Sequence, residues 1–226
     1  MRPLLIVAGL LLALPVQAET LLHLSETAQI RVHPDRLSAN LRFEAEGATP
    51  VEVQAKVNAA IAAALGQAKK TAGVSVGTGS YSVWQTQADA KAPKRWHAGQ
   101  GLELHGGDGA MVLTLVGVLQ GEGLLVQQLG WGLAPDTARK AHADATRMAL
   151  KALRGRADDA AAALELGFVS FKTVNLDPSG FTPRGGMMMA APMMARGAAM
   201  PTPVAEATDI TVEARIEADA VLDVKK

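Results

Sequence analysis

Apolar and polar residues alternate in several segments of the chain, and a period of two predicts strands that bury one face. The alternation runs from Ala28 to Val32, stops at the turn His33-Pro34-Asp35, and resumes from Leu37 to Ala45. Two such segments around a short turn predict a hairpin. The pattern is most regular from Ile210 to Ala218, where every second residue is apolar. We therefore expect Ile216 to lie on a core face.

Further strands are predicted at 74–85, 96–104, 125–133 and 168–176. The first two of these flank a polar connector, so they predict a second hairpin. In the segment 125–133, the parity of the pattern places one set of residues on one side: Leu125, Gln127, Leu129, Trp131 and Leu133.

Three segments predict helices. Thr49 is suited to cap the first, Pro50 to begin it, and Glu52 to complete a capping box. A short apolar helix is predicted at 110–119, and a long helix from Pro135 to about Leu166, ended by Gly167. The predicted inner stripe of the long helix consists of Ala138, Ala141, Ala145, Met148, Ala149, Ala152 and Leu153.

The order of these elements predicts an α+β fold. Hairpins and one-sided alternation are typical of antiparallel or mixed sheets. We expect two long helices packed on one face of such a sheet.

The N-terminus has the layout of a secretory signal. Arg2 precedes an apolar run of 11 residues from Leu4 to Leu14, and the small residue Ala18 follows Pro15. A membrane anchor needs about 20 apolar residues. We therefore expect a signal peptide at 1–18, cleavage after Ala18, no membrane span afterwards, and a periplasmic mature domain at 19–226.

Composition excludes several classes of function. The chain has no cysteine, which excludes disulfides, cysteine catalysis and cysteine zinc sites. Its 22 basic residues balance 22 acidic ones, and aromatic residues make up only 4% of the chain. Without a basic surface interleaved with aromatics, nucleic-acid binding is not expected.

Four segments together resemble one known family. They are the turn Val32-His33-Pro34-Asp35, the helix from Thr49 to Asn58, the strand from Trp96 to Leu104, and the Ala-rich helix from Ala138 to Leu166 with its following strand. In this combination, over roughly 24–220, the chain resembles the SIMPL-domain family of bacterial periplasmic and secreted proteins. The resemblance implies a non-enzymatic α+β protein, often oligomeric, linked to protection against oxidative stress. It supplies no catalytic residues.

A Met- and Pro-rich loop is predicted at about 178–207, where six of the nine methionines lie. Thioethers favour Cu(I), they can be oxidised reversibly, and they form adaptable apolar contacts. A copper site, an oxidant sink, a partner surface and a tolerated insertion therefore all remain open. The candidate Cu(I) ligands are Met187, Met188, Met189, Met193, Met194 and Met200.

Other motifs carry weaker chemistry. His97 and His105 share a strand face by parity, but no metal-binding spacing joins them. The turn 105–109 is similar to the oxyanion loop of α/β-hydrolases, which also requires a G-x-S-x-G nucleophile elbow, and we expect no such motif in this chain. The pattern Gly77-Thr78-Gly79 lacks the third glycine of a dinucleotide site, and Asp158-Asp159 is predicted on a solvated helix face.

We therefore expect a periplasmic interaction or oxidative-stress-protection protein that self-associates, has a protein partner and needs no cofactor. The alternative is a Cu(I)-binding protein that uses the Met-rich loop. An enzyme is the third choice.

Overall fold

A computed structural model describes residues 19–87, 89, 92–176 and 204–224. Within them, strands and helices follow the predicted order. The strands are β1 (Thr20–Val32), β2 (Arg36–Gly47), β3 (Val74–Thr86), β4 (Arg95–Gly106), β5 (Leu125–Gly132), β6 (Leu166–Leu176) and β7 (Ile210–Val224). The helices are α1 (Pro50–Ala68), α2 (Gly109–Gly121) and α3 (Pro135–Ala163).

The strands form two sheets. One has four strands in the order β3-β4-β2-β5, and the other has three in the order β1-β7-β6. β4 pairs antiparallel with both β2 and β3, β2 with β5, and β6 with β7. The predicted α+β class with antiparallel sheets is confirmed, and α1 and α3 are its two long helices.

The main core lies between the four-stranded sheet and the helices α1 and α2. On β2, Leu37, Ala39 and Leu41 are fully buried, as the alternation predicts. On α1, Val53 and Val57 face them from one side of the helix. The buried sides of both helices pack against one face of the sheet, and this burial of apolar surface stabilises the unit.

The predicted capping box of α1 is confirmed with one change of partner. Thr49 Oγ1 accepts a hydrogen bond from the Glu52 N–H at 3.2 Å. Glu52 Oε2 accepts from the N–H of Ala48 at 3.1 Å, one residue before the cap. The first bond satisfies an amide that the first turn of the helix leaves unpaired, and the second satisfies the amide just before the cap.

The predicted hairpin of β1 and β2 is wrong. β1 belongs to the three-stranded sheet and β2 to the four-stranded sheet. Alternation shows that a segment is a strand with one buried face, but it does not select the neighbouring strand. The second predicted hairpin, β3 with β4, is confirmed.

The predicted facing of β5 is wrong at its start. The pairing with β2 shifts between Gln128 and Val126, so Gln127 is the extra residue of a bulge. Val126 therefore packs against the core, whereas Leu125 is 51% exposed. Beyond the bulge, Leu129 is buried and Trp131 packs against the core as predicted.

The long helix α3 ends earlier than predicted, and its buried stripe takes a different path. The helix stops at Ala163, and Glu165 has the positive φ of 59° that turns the chain into β6, so Gly167 lies in a strand. Met148 is 52% exposed, so its predicted inner position is wrong, as is that of the exposed Ala152. The buried positions are Ala138, Ala141, Ala145, Ala149, Leu153, Ala157 and Ala161.

The chain forms two compact units. One contains the described parts of 28–146 and 204–214, and the other contains 19–27, 147–176 and 215–224. In the second unit, β7 buries alternate side chains, among them Ile216 at 0% exposure and Leu222 at 1%. No helix in the described ranges is long and apolar enough to cross a membrane.

Candidate functional site

The face of the four-stranded sheet opposite α1 and α2 carries polar side chains. They alternate with the buried residues along each strand, so they share one face. The chemistry-bearing members of this polar face are Arg36, Ser38, Arg42, Glu44, Glu46, Ser82, Trp84, Thr86, Arg95, His97, Glu103 and His105.

Arg42 is a largely enclosed charged group of this polar face. Its side chain is 14% exposed. Nε donates to Glu44 Oε1 at 2.7 Å, and Nη2 donates to Ser82 Oγ on β3 at 2.7 Å. To reach Ser82, the guanidinium crosses β4 above Gly99, where a Cβ would lie 2.6 Å from Nη2. Gly99 therefore provides the space that lets one side chain tie three strands together.

Trp84 and His97 stack across β3 and β4. Their ring centroids are 5.4 Å apart and their planes differ by 13°. His97 Nε2 is hydrogen-bonded to Thr86 Oγ1 at 2.7 Å. A directly paired aromatic stack stabilises a hairpin, and this arrangement accounts for His97 without a ligand.

His105 occupies the other end of β4. Its Nδ1 is hydrogen-bonded to Ser38 Oγ at 3.1 Å, the residue directly across on β2. Partial burial lowers the pKa of the His105 imidazole, and the positive charge of Arg36 lowers it further, against the opposing charge of Glu103. His105 is therefore a neutral hydrogen-bonding group at pH 7.

The two histidines of this face do not form a metal site. They are eight positions apart on one strand, a separation of about 27 Å at the usual rise per residue. Among the described residues, no three His, Asp or Glu side chains are grouped closely enough to hold a metal ion. The polar face is thus a set of cross-strand pairs rather than a converging cluster.

The expectation that the chain has no G-x-S-x-G spacing is wrong. Gly73-Val74-Ser75-Val76-Gly77 fits the G-x-S-x-G pattern, and Ser75 lies opposite His105 in the sheet. The pattern makes a nucleophile elbow only between a strand and a helix. Here Gly73 lies just before β3 and the rest of the motif, including Ser75, lies within that strand. His105 Nδ1 is hydrogen-bonded to Ser38 rather than to Ser75. Ser75 therefore lies in a strand and not in a nucleophile elbow, which the spacing alone does not reveal.

A family comparison bears directly on this fold. The SIMPL family model, described as a protein of unknown function (DUF541), matches residues 22–220. This chain belongs to the SIMPL family. No curated protein matches it. The family resemblance is confirmed, and the family description assigns no reaction to the polar face.

The Val32-His33-Pro34-Asp35 segment of this SIMPL chain has a clear structural role. Asp35 Oδ1 accepts a hydrogen bond from the N–H of Ala134 at 2.7 Å, and Oδ2 accepts one from the hydroxyl of Thr137. Its carboxylate therefore caps the start of α3, although it lies almost 100 positions earlier in the chain. Pro34 is buried beside it.

The same contacts set the ionisation of Asp35. Burial by itself raises the pKa of the carboxyl, but the hydrogen bonds from Thr137 and Ala134 outweigh it and lower the pKa overall. The charge of Arg36 acts in the same direction. These contacts favour the ionised form of Asp35, which acts as a structural anion at the start of α3.

The turn at 105–109, which is similar to an oxyanion loop, connects the end of β4 to the start of α2. Asp108 caps α2, and its Oδ1 accepts from the N–H groups of Ala110 at 3.0 Å and Met111 at 3.2 Å. Gly109 is needed because a Cβ there would lie 2.5 Å from the ring of Trp131. The Gly-rich turn is thus explained by packing.

The second compact unit has its own polar row. On β7, Asp219 accepts hydrogen bonds from His23 Nδ1 at 2.9 Å and from the hydroxyl of Thr173 on β6. Thr173 first and His23 second lower the pKa of the Asp219 carboxyl. The carboxylate lies between the hydroxyl and the imidazole, so the imidazole has no contact with the hydroxyl that it would need to activate.

Apolar side chains are exposed on β6 in the same unit. Val174 and Leu176 pair with Ala218 and Ile216 of β7, so they lie on the buried face of that sheet. Yet Val174 is 45% exposed and Leu176 is 50% exposed, whereas Ile216 is fully buried. β6 is an edge strand, and its register shifts at Val169 and at Lys172.

The remaining candidates are placed as follows. Asp158 lies on α3 and accepts from Arg154 Nε at 3.0 Å, with its side chain 51% exposed, as expected of a solvated face. The predicted Cu(I) ligands Met187, Met188, Met189, Met193, Met194 and Met200 lie outside the described residues. The Gly77-Thr78-Gly79 pattern lies in β3 at a bulge, where Gly79 approaches Gly101.

Proposed function

We propose that this SIMPL protein acts without catalysis in the bacterial periplasm, as an interaction or oxidative-stress-protection protein that self-associates. One observation carries the self-association. The core face of the three-stranded sheet continues onto β6, where Val174 and Leu176 stay about half exposed, at 45% and 50%. A second copy of the chain would cover them.

The chemistry of that edge determines the kind of contact. Bulges at Val169 and Lys172 interrupt the outer edge of β6, and bulges and lysines hinder strand-to-strand pairing at an edge. The contact therefore uses side chains around the regular segment Thr173–Leu176. Burying the exposed halves of two aliphatic side chains contributes about 1–2 kcal/mol per copy, which suits a reversible association.

The absence of catalysis is supported by the way the polar groups are used. Arg42, His97, His105 and Asp219 each have a residue of another strand in the same sheet as hydrogen-bond partner. Such pairs stabilise sheets.

The test replaces the apolar contact with charge. In the variant Val174→Lys/Leu176→Lys, sedimentation velocity should show a shift toward the single chain, while circular dichroism stays unchanged. The matched control is Asn175→Lys, an exposed neighbour on the opposite face of the same strand, which should keep the wild-type distribution. Equal assembly in all three proteins would refute this surface.

Export is the second part of the proposal, and it is supported by the apolar run from Leu4 to Leu14. The test expresses the full chain in a Gram-negative host, fractionates the cells and sequences the N-terminus. A periplasmic protein that begins at Glu19 is expected. A cytoplasmic protein that retains Met1 would contradict the proposal.

A Cu(I) protein is the second candidate, because six methionines lie within the 14 residues 187–200. Thioether ligands select this ion. The test titrates residues 19–226 with Cu(I) anaerobically against a competing chelator. The comparison is a variant with all six changed to leucine, which keeps the apolar bulk. Tight binding lost in the variant would favour this candidate over the first.

A further inference from the structure

The helix α2 has an unusual exposed face. No charged residue occurs in its 13 positions. Met111 and Val118 are 36% and 41% exposed, and Ala110, Thr114 and Gly121 are exposed beside them. The Thr114 hydroxyl donates to the Ala110 carbonyl at 2.8 Å, which satisfies its donor within the helix. A helix on the surface of a soluble domain normally carries charged or polar residues on its outer face.

The chain around Ala205 is held near the start of this helix by Trp131. The ring of Trp131 packs against Gly109, the first residue of α2. Its Nε1 donates to the carbonyl of Ala205 at 3.3 Å, and Ala205 packs against the core. The segment that precedes Ala205 therefore joins the described structure near the N-terminus of α2.

The length of that segment matches the helix. Residues 177–203 lie outside the described structure. Met200 is five positions before Ala205, a reach of up to about 17 Å. A helix of 13 residues is about 20 Å long, so residues 187–200 are long enough to follow all of α2.

We propose that the Met-rich segment 187–200 docks on the uncharged face of α2 in the same chain. Its composition suits this surface, because it contains six methionines, five alanines, one proline, one glycine, and Arg196 as its one charged residue. Methionine side chains adapt to shallow apolar surfaces that lack deep pockets. The proposal does not depend on the proposed function, since it concerns a contact within one chain.

The absence of native cysteines makes a clean crosslinking test possible. The test variant is Val118→Cys/Met193→Cys in residues 19–226, treated with a short bifunctional thiol crosslinker. The control is Glu103→Cys/Met193→Cys, because Glu103 is exposed on the opposite face of the four-stranded sheet. Crosslinked peptides are identified by mass spectrometry on the fraction with single-chain mass.

Docking predicts an intramolecular yield at position 118 at least about tenfold above that at 103, since a docked segment has a higher effective concentration. Adding Val118→Lys to a Thr114→Cys/Met193→Cys pair should reduce its yield by a similar factor. Equal yields at 118 and 103, no crosslink at 118, or a product that joins only two chains would each overturn the proposal. The last of these results would assign the α2 face to a second copy.

Discussion

Arg42 lies across Gly99, with its guanidinium where a Cβ of that residue would be. The side chain starts on β2, passes over β4 and ends at Ser82 on β3. A single glycine on the central strand therefore permits a hydrogen bond between two strands that are not neighbours in the sheet. Gly99 is thus required by the packing of this arginine.

The first prediction concerns this pair. Gly99→Ala should lower the free energy of unfolding by about 1 kcal/mol, because the guanidinium must leave Ser82 and Glu44. In an Arg42→Ala background the same change should be neutral or stabilising, since alanine suits a strand better than glycine. Urea denaturation of the four proteins measures the coupling. Additive effects would show that Arg42 and Gly99 do not depend on each other.

The second prediction concerns the Asp35 cap. Asp35→Ala should destabilise the protein by about 1 kcal/mol at pH 7, because the first turn of α3 loses its acceptor. The folded pKa of Asp35 is lowered, so its contribution is present above the unfolded value of about 3.9 and is lost as pH falls through the folded value. Thermal melts between pH 7 and pH 2 check this. Asp35→Ala should approach wild-type stability at the acid end, and a constant difference would contradict the ionic cap.

The third prediction concerns His105. Its folded pKa is lowered, so the unfolded chain binds the proton more tightly. Stability should be full above the unfolded value of about 6.5 and should fall as pH drops from there toward the folded value. His105→Gln cannot take up the proton, so its unfolding free energy should fall less over the same range. Parallel curves for the two proteins would refute the assigned pKa direction.

The fourth prediction concerns β7. Ile216 is fully buried, so Ile216→Asp should destabilise the protein by more than about 4 kcal/mol and leave little folded material. The control Thr211→Asp places the same charge on an exposed position of the same strand. It should melt near the wild type. Wild-type melting of the Ile216 variant would mean that the facing of the strand is reversed.

Local chemistry made much of this fold predictable. Thr49 and Glu52 mark the start of α1 because capping depends on residues close in sequence. The strict alternation from Ile210 onward gives the facing of β7 because both faces of that strand differ sharply in polarity. The SIMPL resemblance was equally accessible, since one of the segments that carry it, from Thr49 to Asn58, contains this helix start.

The predictions from sequence were wrong or incomplete in two situations. In one, a single extra residue reverses the facing of a strand, and in the other, segments far apart in sequence come into contact. Gln127 adds one position to β5 and reverses the side on which Leu125 lies. On α3, buried residues follow steps of four, which drift by about 40° per step around the helix axis, so a straight stripe wrongly included Met148. The ties of Asp35 to Ala134 and of Arg42 to Gly99 join segments far apart in sequence, and no local pattern announces them.

The molar mass of the mature chain in solution tests the central claim most directly. Residues 19–226 would be measured by size-exclusion chromatography with multi-angle light scattering over a wide range of concentrations, without added metal. We predict a mass that rises with concentration toward a defined multiple of the single chain. A single-chain mass at every concentration would contradict self-association.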